Sequence, residues 1–291
     1  MGEQGDRKVL LAESIGQALQ WKAEHGAGAR FAGGGTDLLL QTRSGRLKPE
    51  VFIRLPAVAP NVTEDGDYVV LPALSTLSDL AAHPGVRAHV PVLAEAMLQI
   101  GSPQIRNVAT LAGNLCNASP AADSAPVLLV SQAVATLASV RGTRAVPLDE
   151  LFLGPGKTAL AADELLLEVR LRRVQPGERV FFRKFGPRGA NVISSASFAA
   201  RIRMSGTTVE QAFLAAGSVG PRPLRLRNTE AALTGYPLAG WGGSNPPEAL
   251  AEAVRKDISP MSDVRGSGWY KGEVIERCLA WLGERLAEGG R

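Results

Sequence analysis

The chain has 291 residues, of which 45% are hydrophobic and 21% charged, enough to bury a core and to form two domains of ordinary size. The formal net charge of +4 comes from 32 basic and 28 acidic side chains scattered along the chain, so a nucleic-acid partner is not expected. Only Cys116 and Cys278 are present, which excludes a disulfide framework and any iron–sulfur cluster or four-cysteine zinc site built from this chain alone.

The N-terminal segment is polar and lacks the apolar core of a signal peptide. No stretch of about 18 uncharged apolar residues follows it. Two thiols far apart in the sequence suit a reducing compartment. We therefore expect a soluble, cytoplasmic protein with no membrane partner.

The first predicted element is a helix, because Ser14 followed by Gln17 forms a capping-box signal and Gly26 provides a stop. Residues 29–32 have the composition of a short strand. Three glycines then lead into a helical pattern over residues 36–43. The predicted order at this point is strand, glycine loop, helix.

The remaining elements alternate between strands and helices. Strands are predicted at 51–55, 68–71, 133–140, 165–171, 180–185, 194–202 and 209–216, with helices after the Thr76/Asp79 cap, at 92–100 and after residue 216. Residues 101–126 lack a regular pattern, and a long loop inside a compact domain is usually functional. Turn formers at 174–178 indicate a boundary, so we predict domains at 1–178 and 179–291.

The glycine loop is the strongest local signal. Gly33–Gly35 can adopt positive φ, approach a ligand closely and expose amide N–H groups where a helix begins, a geometry that binds phosphate. Thr36 adds a hydroxyl, and Asp37 is expected in the first helical turn. A plain glycine turn is an equal alternative. The loop is neither a Rossmann fingerprint, which would need glycine at Leu38, nor a P-loop.

A second candidate segment runs from Thr110 to Asp123. Gly113 permits close approach, Asn114 offers both a donor and an acceptor, and Asp123 can accept two ribose hydroxyls. Such a segment alone is more often an ordinary polar connection. Together with the glycine loop, however, it could hold the pyrophosphate and adenosine of one cofactor.

Other patterns point away from self-contained catalysis. Residues 151–158 end like a P-loop, but Leu151 stands where the motif needs its first glycine. The three histidines lack metal-binding spacing, and no nucleophile elbow is present. Lys184 is either a solvent-facing strand residue or a group at the edge of a ligand. The chemistry must therefore come from a cofactor, with no catalytic side chain and no metal ligand in this chain.

Four motifs resemble one family in order and spacing. They are AGGGTDLLLQ at 32–41, SPQIRNVATLAGNLCNASPAADSAP at 102–126, VPLDELFLGPGKT at 146–158 and SPMSDVRGSGWYK at 259–271. The chain resembles the flavoprotein subunits of the xanthine dehydrogenase and carbon monoxide dehydrogenase family, and its GGTD form favours the xanthine dehydrogenase branch. This implies an α+β fold: a vanillyl-alcohol-oxidase-type (PCMH-type) FAD domain of two α+β subdomains, then a smaller α+β domain with an antiparallel sheet and helices.

The resemblance also implies a set of residues around a non-covalent FAD. They are Arg30, Phe31, Ala32, Gly33, Gly34, Gly35, Thr36, Asp37, Leu38, Ile100, Thr110, Gly113, Asn114, Asp123, Leu166 and Lys184. In this assignment Leu38 lies against the flavin ring, Ile100 at the ring or adenine side, Leu166 near the adenine and Lys184 near the flavin. One departure is Ala112, where the family usually has glycine, and its methyl group could shift the fit slightly.

The implied partners are a large molybdopterin subunit that oxidises the substrate and a small subunit with two [2Fe–2S] clusters. FAD on this chain would collect electrons and pass them to NAD⁺ or another acceptor. A purine or another N-heterocycle is the leading guess for the substrate. Two alternatives remain open: a self-sufficient FAD oxidase, often with a covalent flavin link through His or Cys, and a flavin-less docking subunit.

Overall fold

The computed structural model describes residues 7–189, 191–239, 241 and 245–288. Its first element is a strand, β1 (Lys8–Leu11), so the prediction that a helix comes first was wrong. This short, mostly exposed strand shows no alternation of polar and apolar side chains that would reveal it. The expected helix follows as α1 (Ile15–His25), where Ser14 Oγ accepts a hydrogen bond from the Gln17 amide and Gly26 ends the helix with a φ of 53°.

The first sheet is parallel and has three strands. After α1 come β2 (Ala29–Ala32), α2 (Leu38–Arg43) and β3 (Val51–Arg54), and the strand order is β1-β3-β2. Helix α2 begins two residues later than predicted, so Asp37 lies at its N-cap. Ala32 pairs with Arg54 at the ends of β2 and β3. The glycine loop therefore leaves the sheet beside the end of β3.

The second sheet is antiparallel. The strands of this region are β4 (Thr63–Asp65), β5 (Tyr68–Pro72), β6 (Val134–Ser139), β7 (Gly142–Pro147), β8 (Phe152–Gly154), β9 (Lys157–Thr158) and β10 (Leu165–Arg172). Five of them pair in the order β4-β5-β10-β6-β7, and β8 pairs with β9. Residues 152–158 of this P-loop-like segment thus form a small hairpin with Gly156 at a φ of 68°. A P-loop requires a helix directly after its glycines, and residues 159–164, which follow this hairpin, form none.

Short helices fill the connection between β5 and β6. They are α3 (Leu77–Ala82), α4 (Pro84–His89), α5 (Pro91–Leu98), α6 (Pro103–Arg106), α7 (Leu111–Cys116) and α8 (Ser124–Val130), and α9 (Leu148–Leu151) follows β7. The predicted Thr76 cap is confirmed, since its Oγ accepts from the Asp79 amide at 3.1 Å. Residues 101–126, predicted to be irregular, contain α6, α7 and the start of α8. Helices of four to seven residues are too short to reveal a 3.6-residue period.

In the second half, the described residues form a four-stranded antiparallel sheet and three helices. They are β11 (Glu178–Phe185), β12 (Ala196–Ser205), β13 (Thr208–Gly217), β14 (Leu224–Arg225), α10 (Arg227–Leu233), α11 (Glu248–Asp257) and α12 (Gly268–Ala287), with the sheet order β11-β12-β13-β14. The three strands predicted here are confirmed, with shifted ends. The α+β prediction is confirmed as well. No described helix combines the length and hydropathy needed to cross a membrane.

The two halves meet through a sheet that is buried on both faces. Phe198 belongs to the core formed with α10–α12, whereas its neighbour Ala199 belongs to the core of the first half. Helix α8, buried along its whole length, packs against β12 and β13. The buried Arg201 pairs with Glu178 and donates to the carbonyl oxygen of Arg173 at 2.8 Å. The packing of α8 against β12 and β13 places Asp123, the residue before α8, beside the second half.

Candidate functional site

The glycine loop, residues 33–37, connects β2 to α2. Gly35 has a φ of 75°, which glycine adopts without strain. The Arg54 guanidinium, at the end of β3, donates to the carbonyl oxygen of Gly33 and, at 3.3 Å, to that of Ala32. Outside the regular elements, no described backbone carbonyl accepts a hydrogen bond from the amides of residues 33–37. The loop therefore retains backbone donors and a nearby cation, as an anionic ligand requires.

The glycine loop contacts the second candidate segment and the two residues that precede it, Val108 and Ala109. We call residues 108–123 the second loop. A Cβ atom added at Gly34 would lie 1.9 Å from the carbonyl oxygen of Val108 and 2.8 Å from the amide nitrogen of Ala109. One added at Gly33 would lie 3.2 Å from the Oγ1 of Thr110. Only glycine permits this approach at position 34. The structure thus brings together the two loops that the sequence proposed as a pair.

The second loop is held in shape by its own hydrogen bonds. Thr110 caps α7, since its Oγ1 accepts from the Gly113 amide at 3.0 Å. Asn114 Oδ1 accepts from the Ser124 hydroxyl at 2.6 Å, which ties α7 to α8. Ala109 is anchored from the other side, because its carbonyl accepts from the Leu77 amide at 2.8 Å. A ligand here would meet a preformed surface.

Asp123 and Lys184 form a buried ion pair between the two halves. The Lys184 Nζ lies 2.7 Å from the Asp123 Oδ2 and also donates to the Gln99 carbonyl oxygen at 2.7 Å. The Ser194 hydroxyl donates to the other carboxylate oxygen. Burial raises the pKa of Asp123, while the lysine and the serine act in the opposite direction. Both carboxylate oxygens already have partners, so a ribose hydroxyl would have to share them.

A cavity of about 680 Å³ opens beside Lys184. Its lining comes from both halves of the chain and is rich in positive charge: Leu98, Gln99, Gly101, Ser102, Pro103, Arg106, Lys184, Phe185, Gly186, Arg188, Gly189, Asn191, Val192 and Tyr270. The Arg106 guanidinium is oriented by the carbonyl oxygens of Ile100 and Gly101, at 3.0 and 3.2 Å from its Nη1. The cavity can therefore take part of a large anionic ligand near Ile100.

The other predicted residues fall in different surroundings. Phe31 is partly buried against the first core, and the Arg30 guanidinium donates to the carbonyl oxygens of Ala27 and Ala29 at 3.0 and 3.1 Å. Thr36 and Leu38 are partly exposed. Leu166 is fully buried within β10. Its side chain offers no surface to an adenine ring in this structure, so the expectation for Leu166 gains no support from its position.

Local packing and hydrogen bonds account for the surroundings of Cys116, His83 and His89. Burial raises the pKa of Cys116 to about 12, which leaves little thiolate at neutral pH. His83 caps α4 through its Nδ1, and His89 pairs with Glu64 at 2.9 Å. These groups serve local structure.

Two family models match this chain, one in each half. Residues 5–172 match the model of the FAD binding domain in molybdopterin dehydrogenase, and residues 181–281 match the CO dehydrogenase flavoprotein C-terminal domain. The chain belongs to the FAD-binding medium subunits of the xanthine dehydrogenase and carbon monoxide dehydrogenase family. The resemblance inferred from the four motifs is thereby confirmed, and so is FAD as the cofactor of the fold.

Individual relatives match over most of this chain and over most of their own length. The xanthine dehydrogenase FAD-binding subunit of Escherichia coli O157:H7 is 34% identical over 254 residues, covering 85% of each chain. The carbon monoxide dehydrogenase medium chain of Hydrogenophaga pseudoflava is 30% identical over 278 residues, covering 92% of this chain and 95% of that one. A solved carbon monoxide dehydrogenase from Hydrogenophaga pseudoflava superposes with a TM-score of 0.87 at 29% identity, over 95% of this chain and 98% of that chain.

Sequence reasoning missed several groups that shape this medium subunit's site. Arg54 contacts the glycine loop, Val108 presses its carbonyl against Gly34, and Ser194 and Gln99 complete the surroundings of Lys184. A parallel pairing of β2 with β3 would have placed Arg54 beside the loop. No local pattern could have indicated the other three, because their contacts are made across the fold.

The departure at Ala112 does not affect the loop surface. Its methyl group is 4% exposed and belongs to the first core, and its amide donates to the Ala73 carbonyl at 2.7 Å. We expect Ala112→Gly to lower the free energy of unfolding by about 1 kcal/mol through lost helix propensity and packing. FAD affinity should change less than about twofold. Urea unfolding and a fluorescence titration with FAD check both values, and a tenfold gain in affinity would contradict this placement.

Proposed function

We propose that this chain is the flavin-bearing electron-transfer subunit of a molybdenum hydroxylase. In this proposal a small partner with [2Fe–2S] clusters delivers electrons that a large molybdopterin subunit takes from the organic substrate. The chain passes them to NAD⁺ or another acceptor. The observation that carries the proposal is the close approach of the glycine loop to the second loop at Gly34, in a chain whose first half matches the FAD domain model.

The residues present suit FAD. The free amides of residues 33–37 and the guanidinium of Arg54 can meet a diphosphate, and Thr110 closes the opposite side. The cavity beside Lys184 can receive a further part of the cofactor. When bound, FAD supplies the ability to accept electrons singly and release them in pairs. The chain's own part is to bind, orient and shield it.

Two finer points belong to the same proposal. We place the domain boundary between residues 178 and 179. Separate family matches, one ending at residue 172 and the next beginning at residue 181, support this position.

We also propose a cytoplasmic location. The two cysteines, one in α7 of the first half and one in α12 of the second, are free thiols, as a reducing compartment would favour.

The first experiment is a visible absorption spectrum of the purified chain with and without added FAD. We expect a flavin spectrum, and acid denaturation should release the flavin intact, because Cys116 is a poor nucleophile. A chain that stays colourless with excess FAD would overturn the proposal in favour of a docking subunit. Flavin that stays attached after denaturation would instead favour the covalent oxidase.

Arg54 provides a separate test of the glycine loop. We expect Arg54→Ala to weaken FAD binding about tenfold, because a charged hydrogen bond that orients the loop is lost. Flavin fluorescence quenching measures the dissociation constant. Arg87→Ala is a matched control, since Arg87 also donates to a backbone carbonyl, that of Ala81, but outside both loops. Equal effects of the two substitutions would show that Arg54 has no special role.

A further inference from the structure

Lys184 lines the cavity and keeps one hydrogen-bond donor without a described partner. A lysine ammonium group carries three N–H groups. Two of them donate to described residues, one to the Gln99 carbonyl oxygen and one to the Asp123 carboxylate, each at 2.7 Å. Within the described chain, no other atom accepts a hydrogen bond from this nitrogen. The third N–H is therefore available to a ligand in the cavity that Lys184 lines.

The direction of this third N–H depends on where the Asp123 carboxylate lies. A lysine ammonium group ends a flexible four-carbon chain, so its acceptors determine where its N–H groups point. Asp123 directly precedes α8, which is buried along its whole length. Its carboxylate could still rotate unless both oxygens had partners. The Ser194 hydroxyl donates to Oδ1, and Lys184 donates to Oδ2. Ser194 therefore fixes the carboxylate that in turn orients Lys184.

Ser194 is itself held by Ser218, the residue that follows β13. Ser194 is fully buried, and its carbonyl oxygen accepts a hydrogen bond from the Ser218 hydroxyl at 3.0 Å. The Ser218 amide donates to the Pro120 carbonyl oxygen at 2.7 Å. Pro120 lies three residues before Asp123 in the second loop. Ser218 thus contacts both segments that converge on the Asp123 carboxylate.

Ser218 keeps this position against the backbone preference of serine. Its φ of 64° lies in the left-handed region, which is unfavourable for residues other than glycine. Such a residue persists where surrounding contacts determine its conformation, and these positions concentrate at ligand sites. The preceding Gly217 permits the close approach, because a Cβ added there would lie 3.3 Å from the Pro120 carbonyl oxygen. Ala118, in the second loop, also has a positive φ, of 45°. Contacts across the fold thus enforce the geometry around Asp123.

We propose that Ser194 and Ser218 are positioning residues for the cofactor site. Through Asp123, they direct the remaining N–H of Lys184 at an oxygen atom of the bound cofactor. Neither serine belongs to the lining of the cavity, so both act through other residues. The proposal rests on the flavin function proposed above. A purely structural role would lower stability alone, whereas a positioning role also lowers the FAD affinity of chains that remain folded.

The test compares the FAD affinities of full-chain variants by flavin fluorescence quenching, at a temperature where each variant is folded. Ser194→Ala should weaken binding about fivefold, and Ser218→Ala about threefold. Ser195→Ala is the matched control. Ser195 is also buried, but its hydroxyl donates to the Arg265 carbonyl oxygen at 2.7 Å. Its loss should lower the melting temperature as Ser194→Ala does, while the FAD dissociation constant changes less than about twofold.

A combined variant tests whether Ser194 acts through Lys184. In a chain carrying Lys184→Met and Asp123→Asn, the N–H group that Ser194 directs is absent. Adding Ser194→Ala to this chain should leave the FAD dissociation constant unchanged within about 1.5-fold. A further fivefold loss would show that Ser194 acts independently of Lys184 and would overturn the proposal. Equal affinities of Ser194→Ala and the unsubstituted chain would overturn it as well.

Hydrogen exchange in the flavin-free chain gives a readout that does not depend on FAD. Ser194→Ala should speed amide exchange in the segment 118–125 by at least about threefold, as measured by mass spectrometry, and Ser195→Ala should not. Unchanged exchange would contradict the hold of Ser194 on Asp123 and overturn the proposal. Faster exchange in a chain whose unsubstituted form binds no FAD would support that hold and sink the flavin function instead.

Discussion

Replacing Gly34 with alanine is expected to abolish tight FAD binding and to lower the free energy of unfolding by about 3 kcal/mol. The new Cβ would lie 1.9 Å from the Val108 carbonyl oxygen. No side-chain rotation can relieve this distance, because the backbone fixes the position of a Cβ and the carbonyl is itself backbone. Either the glycine loop or the segment around Val108 has to move. In both cases the paired surface of the two loops is lost.

Two other glycines supply matched controls for this prediction. At Gly33 the added Cβ would meet the Thr110 side chain at 3.2 Å, which a small shift can accommodate, so Gly33→Ala should have an intermediate effect. At Gly16, inside α1, the nearest atom would be 4.0 Å away, and alanine there should be neutral or slightly stabilising. Denaturant unfolding and FAD fluorescence titrations give the ranking. Equal behaviour of Gly34→Ala and Gly16→Ala would refute the backbone contact.

Removing one partner of the buried pair between the two halves should be nearly as damaging. Lys184→Met is expected to cost about 3 kcal/mol of stability at neutral pH, because it leaves the Asp123 carboxylate buried without its cation. The side chains of Lys184 and Asp123 are only 8% and 5% exposed, so solvent screens them little. Urea unfolding at fixed pH measures the loss. Asp123→Asn in the Lys184→Met background should restore part of it, which a double-mutant cycle quantifies.

The pH dependence of this variant follows from the pKa of Asp123, which burial raises. A carboxyl whose pKa is raised in the folded state favours folding below its unfolded pKa, about 4, and this contribution is lost as pH rises through the folded pKa. Without Lys184 the pKa rises further. The deficit of Lys184→Met should therefore shrink as pH falls from 7 toward about 4.

An exposed ion pair serves as the control. Arg277→Met removes the cation of a pair with Glu273 whose side chains are 59% and 31% exposed, so its cost should stay below about 0.5 kcal/mol. Its deficit should also vary little with pH. A Lys184→Met deficit that is equally small, or one that grows toward acid pH, would contradict the buried pair.

The local features of the fold were largely predictable from the sequence because they depend on neighbouring residues. The capping signals at Ser14 and Thr76 placed two helices correctly, and the alternation over 165–171 placed a central strand. Strand β1 and the helices α6 and α7 were missed, since four to six residues are too few to display a period. Order and spacing of four motifs were enough to indicate the family.

The sequence by itself indicated the family and predicted that two glycine-containing loops could serve one cofactor. Only the tertiary structure decided how the loops meet, since Gly34 contacts Val108 across more than seventy positions of the chain. It also decided that Asp123 pairs with Lys184 and that Leu166 is buried in the sheet. The physical reason is the same in each case. A residue type limits which contacts are possible, but the packing of distant segments selects the one that forms.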